Sequence, residues 1–108
     1  MEPWRIGIIG SGFIAGVVAD AAKNTPLMSV SAVCSRLESS ASAFAAQYDI
    51  EHVFESWQQL ISSDEIDAVY VATPTNVREE ISVSAASAGK HIFAENPFAS
   101  EASLANII

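Results

Sequence analysis

Short apolar runs alternate with longer segments of helical period along this chain, and that alternation limits its fold more than any other feature. Trp4–Ile9, Met28–Cys34, Ile66–Ala72 and His91–Ala94 are β-rich, and His52-Val53-Phe54 adds a brief fifth run. Such runs read as strands buried on both faces. Helical segments fall between them, at Phe13–Lys23, Glu38–Tyr48, Ser56–Ile61 and Val77–Ala88, and another runs from Ser100 to Ile108. In the first, Ile14, Val17, Val18, Ala21 and Ala22 form the expected apolar stripe, and Asn24-Thr25-Pro26 stops it. In the second strand Val30, Ala32 and Cys34 are expected to share one face. Ala41, Phe44, Ala45 and Tyr48 recur at helix spacing. Ser56 is placed to cap a short helix that turns Trp57, Leu60 and Ile61 inward. Gly89 suits the position just beyond a helix end. Strands that alternate with helices pair in parallel through right-handed crossovers, with helices on both faces. The expected fold is α/β: one doubly wound parallel sheet in three layers, α/β/α, spanning residues 1–108.

Composition removes several functional classes. The 108 residues suffice for one domain, and half are hydrophobic, which sets disorder aside. A net charge of −8 argues against nucleic acid or an anionic membrane as partner. It leaves a phosphate-bearing ligand open, because such sites use backbone N–H groups and a few local cations. The single cysteine, Cys34, can form neither an intrachain disulfide nor a cysteine metal site, and it reads as a small buried hydrophobe in a reducing compartment. Met1-Glu2-Pro3-Trp4-Arg5 leads straight into a strand without the layout of a signal peptide, and no apolar run reaches membrane-span length. The expected location is cytoplasmic.

The first strand ends in Gly10-Ser11-Gly12-Phe13-Ile14-Ala15, which fits G-x-G-x-x-G/A. Gly10 permits the tight turn, Gly12 lets a pyrophosphate approach the backbone, and Ala15 lets the helix pack close to the strand. Phe13 and Ile14 open that helix, whose N–H groups and dipole favour phosphate. A glycine pattern alone also fits an ordinary strand-to-helix turn. Here the flanking strand and helix favour a dinucleotide.

The end of the second strand sits beside the adenosine ribose in this arrangement. An acidic residue there favours NAD, and a basic one favours NADP. The chain has Ser35-Arg36, and Arg36 follows Gly12 by 24 positions, near the spacing of about 20 residues expected for this role. Arg36 can pair with a 2′-phosphate and Ser35 can add a hydroxyl, so NADP is the preferred cofactor and NAD the alternative. The plain reading of Arg36 is a solvated loop cation.

Val69-Tyr70-Val71-Ala72-Thr73-Pro74, Gly89-Lys90-His91-Ile92-Phe93 and Glu95-Asn96-Pro97, together with Asp67 and the glycine turn, make the chain resemble the Gfo/Idh/MocA family of oxidoreductases. The resemblance implies a Rossmann NAD(P)-binding domain, joined in family members to a C-terminal domain that carries substrate contacts and usually the dimer interface. It implies hydride transfer on a sugar, polyol or related alcohol. It places Thr73, Pro74 and Asn76 along the cofactor's central and nicotinamide parts, and Glu95 and Pro97 under the nicotinamide.

Two residues depart from the family pattern. Asn96 stands where the family has a lysine beside the nicotinamide ribose; an amide can donate a hydrogen bond but carries no charge and shuttles no proton at neutral pH. Arg78 stands where many members have histidine, and surface charge and cofactor contact are both open to it. The chain also stops after the fifth main strand, so it is expected to be a truncated fold without the family's catalytic acid/base and without catalytic residues of its own. His52 reads as a turn residue, and His91 as a structural histidine at the start of a buried strand. Three functions remain open: the cofactor-holding part of an oxidoreductase, a non-catalytic dinucleotide-binding module, and an unrelated α/β fold. An unpaired sheet edge or uncovered apolar surface makes a homo-oligomer possible.

Overall fold

The computed structural model describes residues 3–73 and 75–94, the side chains of 75, 76 and 94 excepted. The expected helix at 100–108, and Pro74, Glu95, Asn96 and Pro97, lie outside the described residues, as does the side chain of Asn76. The elements run β1 (Trp4–Ile9), α1 (Phe13–Lys23), β2 (Met28–Cys34), α2 (Glu38–Tyr48), β3 (His52–Val53), α3 (Trp57–Ile61), β4 (Ala68–Val71), α4 (Thr75–Ser87) and β5 (His91–Ala94). All five strands pair in parallel, in the order β3-β2-β1-β4-β5.

Each face of the sheet carries its own core. Ile6 and Ile8 of β1 point to one face and pack with Ala15 and Ala19 of α1 and Phe44 and Ala45 of α2. Ile9, Val69 and Val71 point to the other and pack with Leu60 and Ile61 of α3 and Ile81 and Ala85 of α4. Sheet alternation thus sends alternate aliphatic residues into separate layers, giving the expected three-layer α/β/α arrangement.

The second strand departs from simple alternation. Ile6 pairs with Val30 but Gly7 pairs with Ala32, so a bulge at Ser31 inserts one extra residue. An inserted residue reverses the facing of everything beyond it. Val30 accordingly packs on the α1/α2 side, while Ala32 and Cys34 pack on the α3/α4 side. The three residues do not share the face expected for them.

The first helix is also turned from the expected orientation. Its buried residues are Ala15, Gly16, Ala19 and Ala22. Ile14 and Val17 are 40% and 48% exposed, and Ala21 is exposed as well. The cause is closeness. A Cβ on Gly16 would lie 2.7 Å from the Tyr48 hydroxyl, so only small residues fit where α1 meets α2. Ile14 and Val17 are turned outward, while Val18 is half-buried against the α1/α2-side core.

Local signals set several ends. The Gln59 N–H donates to Ser56 Oγ at 3.2 Å and caps α3. Gly89, at φ +81°, closes α4; its N–H donates to Ala86 O and the Lys90 N–H to Ala85 O, both at 3.0 Å. That pair of bonds is a Schellman motif, which a left-handed glycine accommodates without strain. His91 is exposed, in a strand that lies at the sheet edge among the described residues, with its ring edge-on to Trp4 at 4.8 Å, and so is not buried as expected. His52 lies within β3, not in a turn, with Glu51 and Glu65 carboxylates at 3.8 and 3.9 Å.

A polar network ties the N-terminal ends of the strands. Arg5 donates through Nε and a terminal nitrogen to the two Asp67 carboxylate oxygens, at 3.2 and 2.9 Å, and its backbone N–H adds a third bond at 2.9 Å. Lys90 Nζ donates to the carbonyls of Ser63 and Ile66 at 2.7 and 2.9 Å. The Arg5 side-chain and backbone donors hold the Asp67 carboxyl down at about 2. A depressed carboxyl contributes stability that is present above its unfolded value, near 3.9, and is lost as pH falls through the folded value. We predict that Asp67→Asn lowers stability at pH 7 by up to about 1 kcal/mol, the scale of a half-exposed ion pair. The gap to wild type should narrow as pH drops from 4 toward 2. Denaturant midpoints across that range test this, and a gap independent of pH contradicts it.

Candidate cofactor site

The carboxyl ends of β1, β2 and β4 finish level: Ile9 pairs with Cys34 on one side and Val71 on the other. The helices after β1 and β4 leave to opposite faces of the sheet. A crevice therefore opens between the two turns, at the position where open α/β sheets take ligands. The crevice has a volume of about 530 Å³, and Gly10, Ser35, Arg36 and Thr73 all line it.

Gly10 makes this geometry possible. Its φ is +117°, and a Cβ there would sit 2.8 Å from the Ala72 carbonyl oxygen. Its N–H donates to Cys34 O at 2.8 Å, while the Ala72 N–H donates to Ile9 O at 2.9 Å. The turn is thus bonded to the strands on both sides of β1. Gly12 has the opposite character. Its φ of −82° is ordinary, and nothing lies within 4 Å of where its Cβ would be. No side chain caps α1 there, so no capping side chain occupies the first N–H groups of the helix. That combination suits a phosphate group.

At the end of β2, Ser11 Oγ donates to Ser35 Oγ at 3.2 Å and the Leu37 N–H donates to the same oxygen at 3.4 Å. These bonds join the glycine turn to the β2–α2 loop. Arg36 lies exposed on the rim beside them. Cys34 forms part of the wall, and burial pushes its thiol up to about 12, so it remains protonated at neutral pH. Beyond β4, Thr73 turns its hydroxyl inward, where Oγ1 is buried without a hydrogen-bond partner among the described residues.

The remaining expected site residues are spread wider. Gly12 and Phe13 border a separate shallow depression with Gly16, Val17 and Tyr48. Phe13 is 83% exposed. Arg78 is neither a surface charge nor a crevice residue: it is 5% exposed and donates to the Thr73 carbonyl at 2.9 Å. Glu55, Ser56 and Trp57 line the crevice although the sequence did not single them out for it. The signal that could have found them is position, since they follow the third strand at the carboxyl end of the sheet. A larger depression, about 1060 Å³, lies at the opposite ends of the strands. Its Arg5, Asp67 and Lys90 are engaged with one another and with backbone carbonyls, and it is far from the glycine turn.

The residues present fit a dinucleotide. The turn leaves room at Gly12 for a pyrophosphate, and the crevice has Ser35 on one side of it and Thr73 on the other. The fold and crevice define the class as a dinucleotide-binding α/β domain. Residues 4–108 match the family described as "Oxidoreductase family, NAD-binding Rossmann fold", GFO_IDH_MocA. The chain belongs to the Gfo/Idh/MocA oxidoreductase family, whose fold binds NAD(P).

The chain is 36% identical over 96 residues to scyllo-inositol 2-dehydrogenase (NADP(+)) IolU of Bacillus subtilis, covering 89% of this chain and 29% of that protein. It is 37% identical over 101 residues to a dTDP-3,4-didehydro-2,6-dideoxy-alpha-D-glucose 3-reductase of Actinomadura kijaniata, covering 93% and 30%. A solved 3-ketoreductase from Actinomadura kijaniata, in complex with TDP-benzene and NADP, superposes with a TM-score of 0.86 at 35% identity, over 97% of this chain and 33% of that one. The chain thus spans about a third or less of the length of these relatives.

The two glycines are expected to respond differently to the same substitution. Gly10→Ala should cost about 1–3 kcal/mol, from a strained backbone and contact with Ala72. Gly12→Ala should change stability by under about 0.5 kcal/mol, since its added methyl meets nothing. Chemical denaturation of both variants tests this; equal losses would contradict the geometry.

Proposed function

We propose that this chain is the cofactor-holding domain of an NADP-dependent oxidoreductase acting on a sugar, polyol or related alcohol. The observation that carries the reading is the crevice itself, with a glycine turn at its centre, Ser35 and Arg36 on the β2 side and Thr73 on the β4 side. A bound nicotinamide dinucleotide supplies hydride transfer; the protein supplies binding and orientation.

Each residue has a separate role in this reading. Gly10 keeps β1 and β4 close enough to form one crevice. Gly12, Phe13 and Ile14 present backbone N–H groups to the pyrophosphate, with the dipole of α1 behind them. Arg36 pairs with the 2′-phosphate, and Ser35, already held by Ser11, adds a hydroxyl beside it. Thr73 lines the other half of the dinucleotide, and the family resemblance adds Pro74 and Asn76 to that side. The family resemblance assigns Glu95 and Pro97 to the floor under the nicotinamide and Asn96 to the place beside its ribose. Residues 1–108 then make up the dinucleotide-binding domain, with substrate contacts coming from outside it. NADP in the names of the relatives supports the Arg36 assignment, as does the absence of a carboxylate at Ser35 or Arg36.

Asn96 favours a second reading, a dinucleotide-binding module without catalysis. An amide at this place can orient a ligand oxygen but cannot lend it positive charge. Binding without turnover on a panel of sugars and polyols would support that reading.

Calorimetric titration with NADPH and NADH tests the cofactor assignment. Wild type should prefer NADPH. Arg36→Ala should weaken NADPH by about 10- to 100-fold, the scale of a lost hydrogen bond to a charged group, and leave NADH unchanged. Equal affinity of wild type for the two cofactors would sink the 2′-phosphate assignment.

A further inference from the structure

Arg78 carries a charge in an unfavourable place. It is 5% exposed, and burial strips hydration from its guanidinium. It also lies near the start of α4, where the helix dipole disfavours a cation. Among the described residues it donates to the Thr73 carbonyl, at 2.9 Å. That carbonyl belongs to the turn by which the chain leaves β4 and forms one wall of the crevice, and Val77 and Ile81, on either side of Arg78 in α4, line the same wall.

Strand order says which part of a dinucleotide meets this wall. The strands β2 and β4 flank β1 on opposite sides. A dinucleotide with its pyrophosphate over the Gly10–Gly12 turn and its adenosine over Ser35 and Arg36 must direct its other half toward Thr73. We infer that Arg78 is a positioning residue, which fixes the Thr73 turn from behind so that the wall facing the nicotinamide half is formed before the cofactor arrives. Arg78 touches no ligand and acts through the backbone. A guanidinium suits this role because it is planar and permanently charged, and it holds its bond at any physiological pH. The inference rests on the cofactor reading above and adds to it the residue that shapes the nicotinamide side.

The test separates the two halves of the cofactor. Affinities of NADPH and NADH, as whole cofactors, are compared with those of 2′,5′-ADP and ADP, as their adenosine halves, for wild type, Arg78→Lys and Arg78→Met. Arg78→Met should weaken the preferred whole cofactor by about tenfold or more, the scale of a lost charged hydrogen bond. Arg78→Lys, which keeps one donor, should fall between. The adenosine half should bind all three proteins within about twofold, since Arg36 and the glycine turn are untouched. Equal loss of both halves, or loss of neither, overturns the inference. A wild-type chain that binds none of the four ligands overturns the cofactor reading and this inference with it.

Amide hydrogen exchange of wild type gives an answer even if a variant fails to fold. A preformed wall requires the Ala72 amide, which donates to Ile9 O at 2.9 Å, and the Ile81 amide, inside α4, to be protected without cofactor, with little added protection in NADPH. Protection that appears only with NADPH overturns the inference.

Discussion

The contact between Gly10 and the end of β4 sets the rest of this structure. The chain must leave β1 while remaining hydrogen-bonded to strands on both sides, and it does so with the Gly10 N–H on Cys34 and the Ala72 N–H on Ile9. It passes the Ala72 carbonyl with no room for a side chain. A bulkier residue would separate β1 from β4 at the end where the crevice lies. The direction of α1, the width of the crevice and the place of Thr73 all follow from this one approach.

Closeness continues along α1. The α3/α4 side of the sheet buries Leu60, Ile61, Ile66 and Ile81, whereas the α1 contribution to its own side is Ala15, Gly16, Ala19 and Ala22. Small residues remove less apolar surface from water, at roughly 25 cal/mol per Å², than leucine or isoleucine would. The helix therefore gives up burial energy and gains a short distance to the sheet. The start of α1 then lies close above the strand ends, where its N–H groups are useful to a phosphate. Phe13, Ile14 and Val17 are left exposed by the same arrangement.

The sequence made the element order legible because the strong local signals agree with one another. The apolar runs mark β1, β2 and β5, Ser56 caps α3, and Gly89 closes α4. The glycine turn was legible for the same reason, since Gly10 and Gly12 stand between a strand and a helix. Features that depend on distant contacts were hidden. The outward turn of Ile14 and Val17 reflects the tight fit of Gly16 against Tyr48, a partner far along the chain. The bulge at Ser31 leaves no mark in a period-two pattern until the register with β1 is seen. Arg78 offered only its charge, and charge usually means surface; its burial depends on the path of the chain at Thr73. Ser56 and Trp57 were assigned to a helix cap and a core, and the crevice they also line exists only once β2 and β4 flank β1.

An acidic chain that receives an anionic cofactor must rely on short-range donors. The sequence has five basic residues against thirteen acidic ones. Arg5 and Lys90 lie in the network at the far ends of the strands, Lys23 lies over the Tyr48 ring at 5.6 Å, and Arg78 is buried behind Thr73. Arg36 is the basic residue that reaches the crevice. Exposed charges more than about 8 Å away are largely screened at physiological ionic strength, so the overall negative charge weighs less than the groups at the turn. Backbone N–H groups at the start of α1 serve any pyrophosphate and cannot distinguish NAD from NADP. Within this crevice the proposed reading gives that distinction to Arg36, with Ser35 held beside it by Ser11. Among the described residues no second basic side chain lines the crevice, so in the proposed reading cofactor choice depends on a single exposed side chain, while the crevice itself rests on the buried geometry of Gly10.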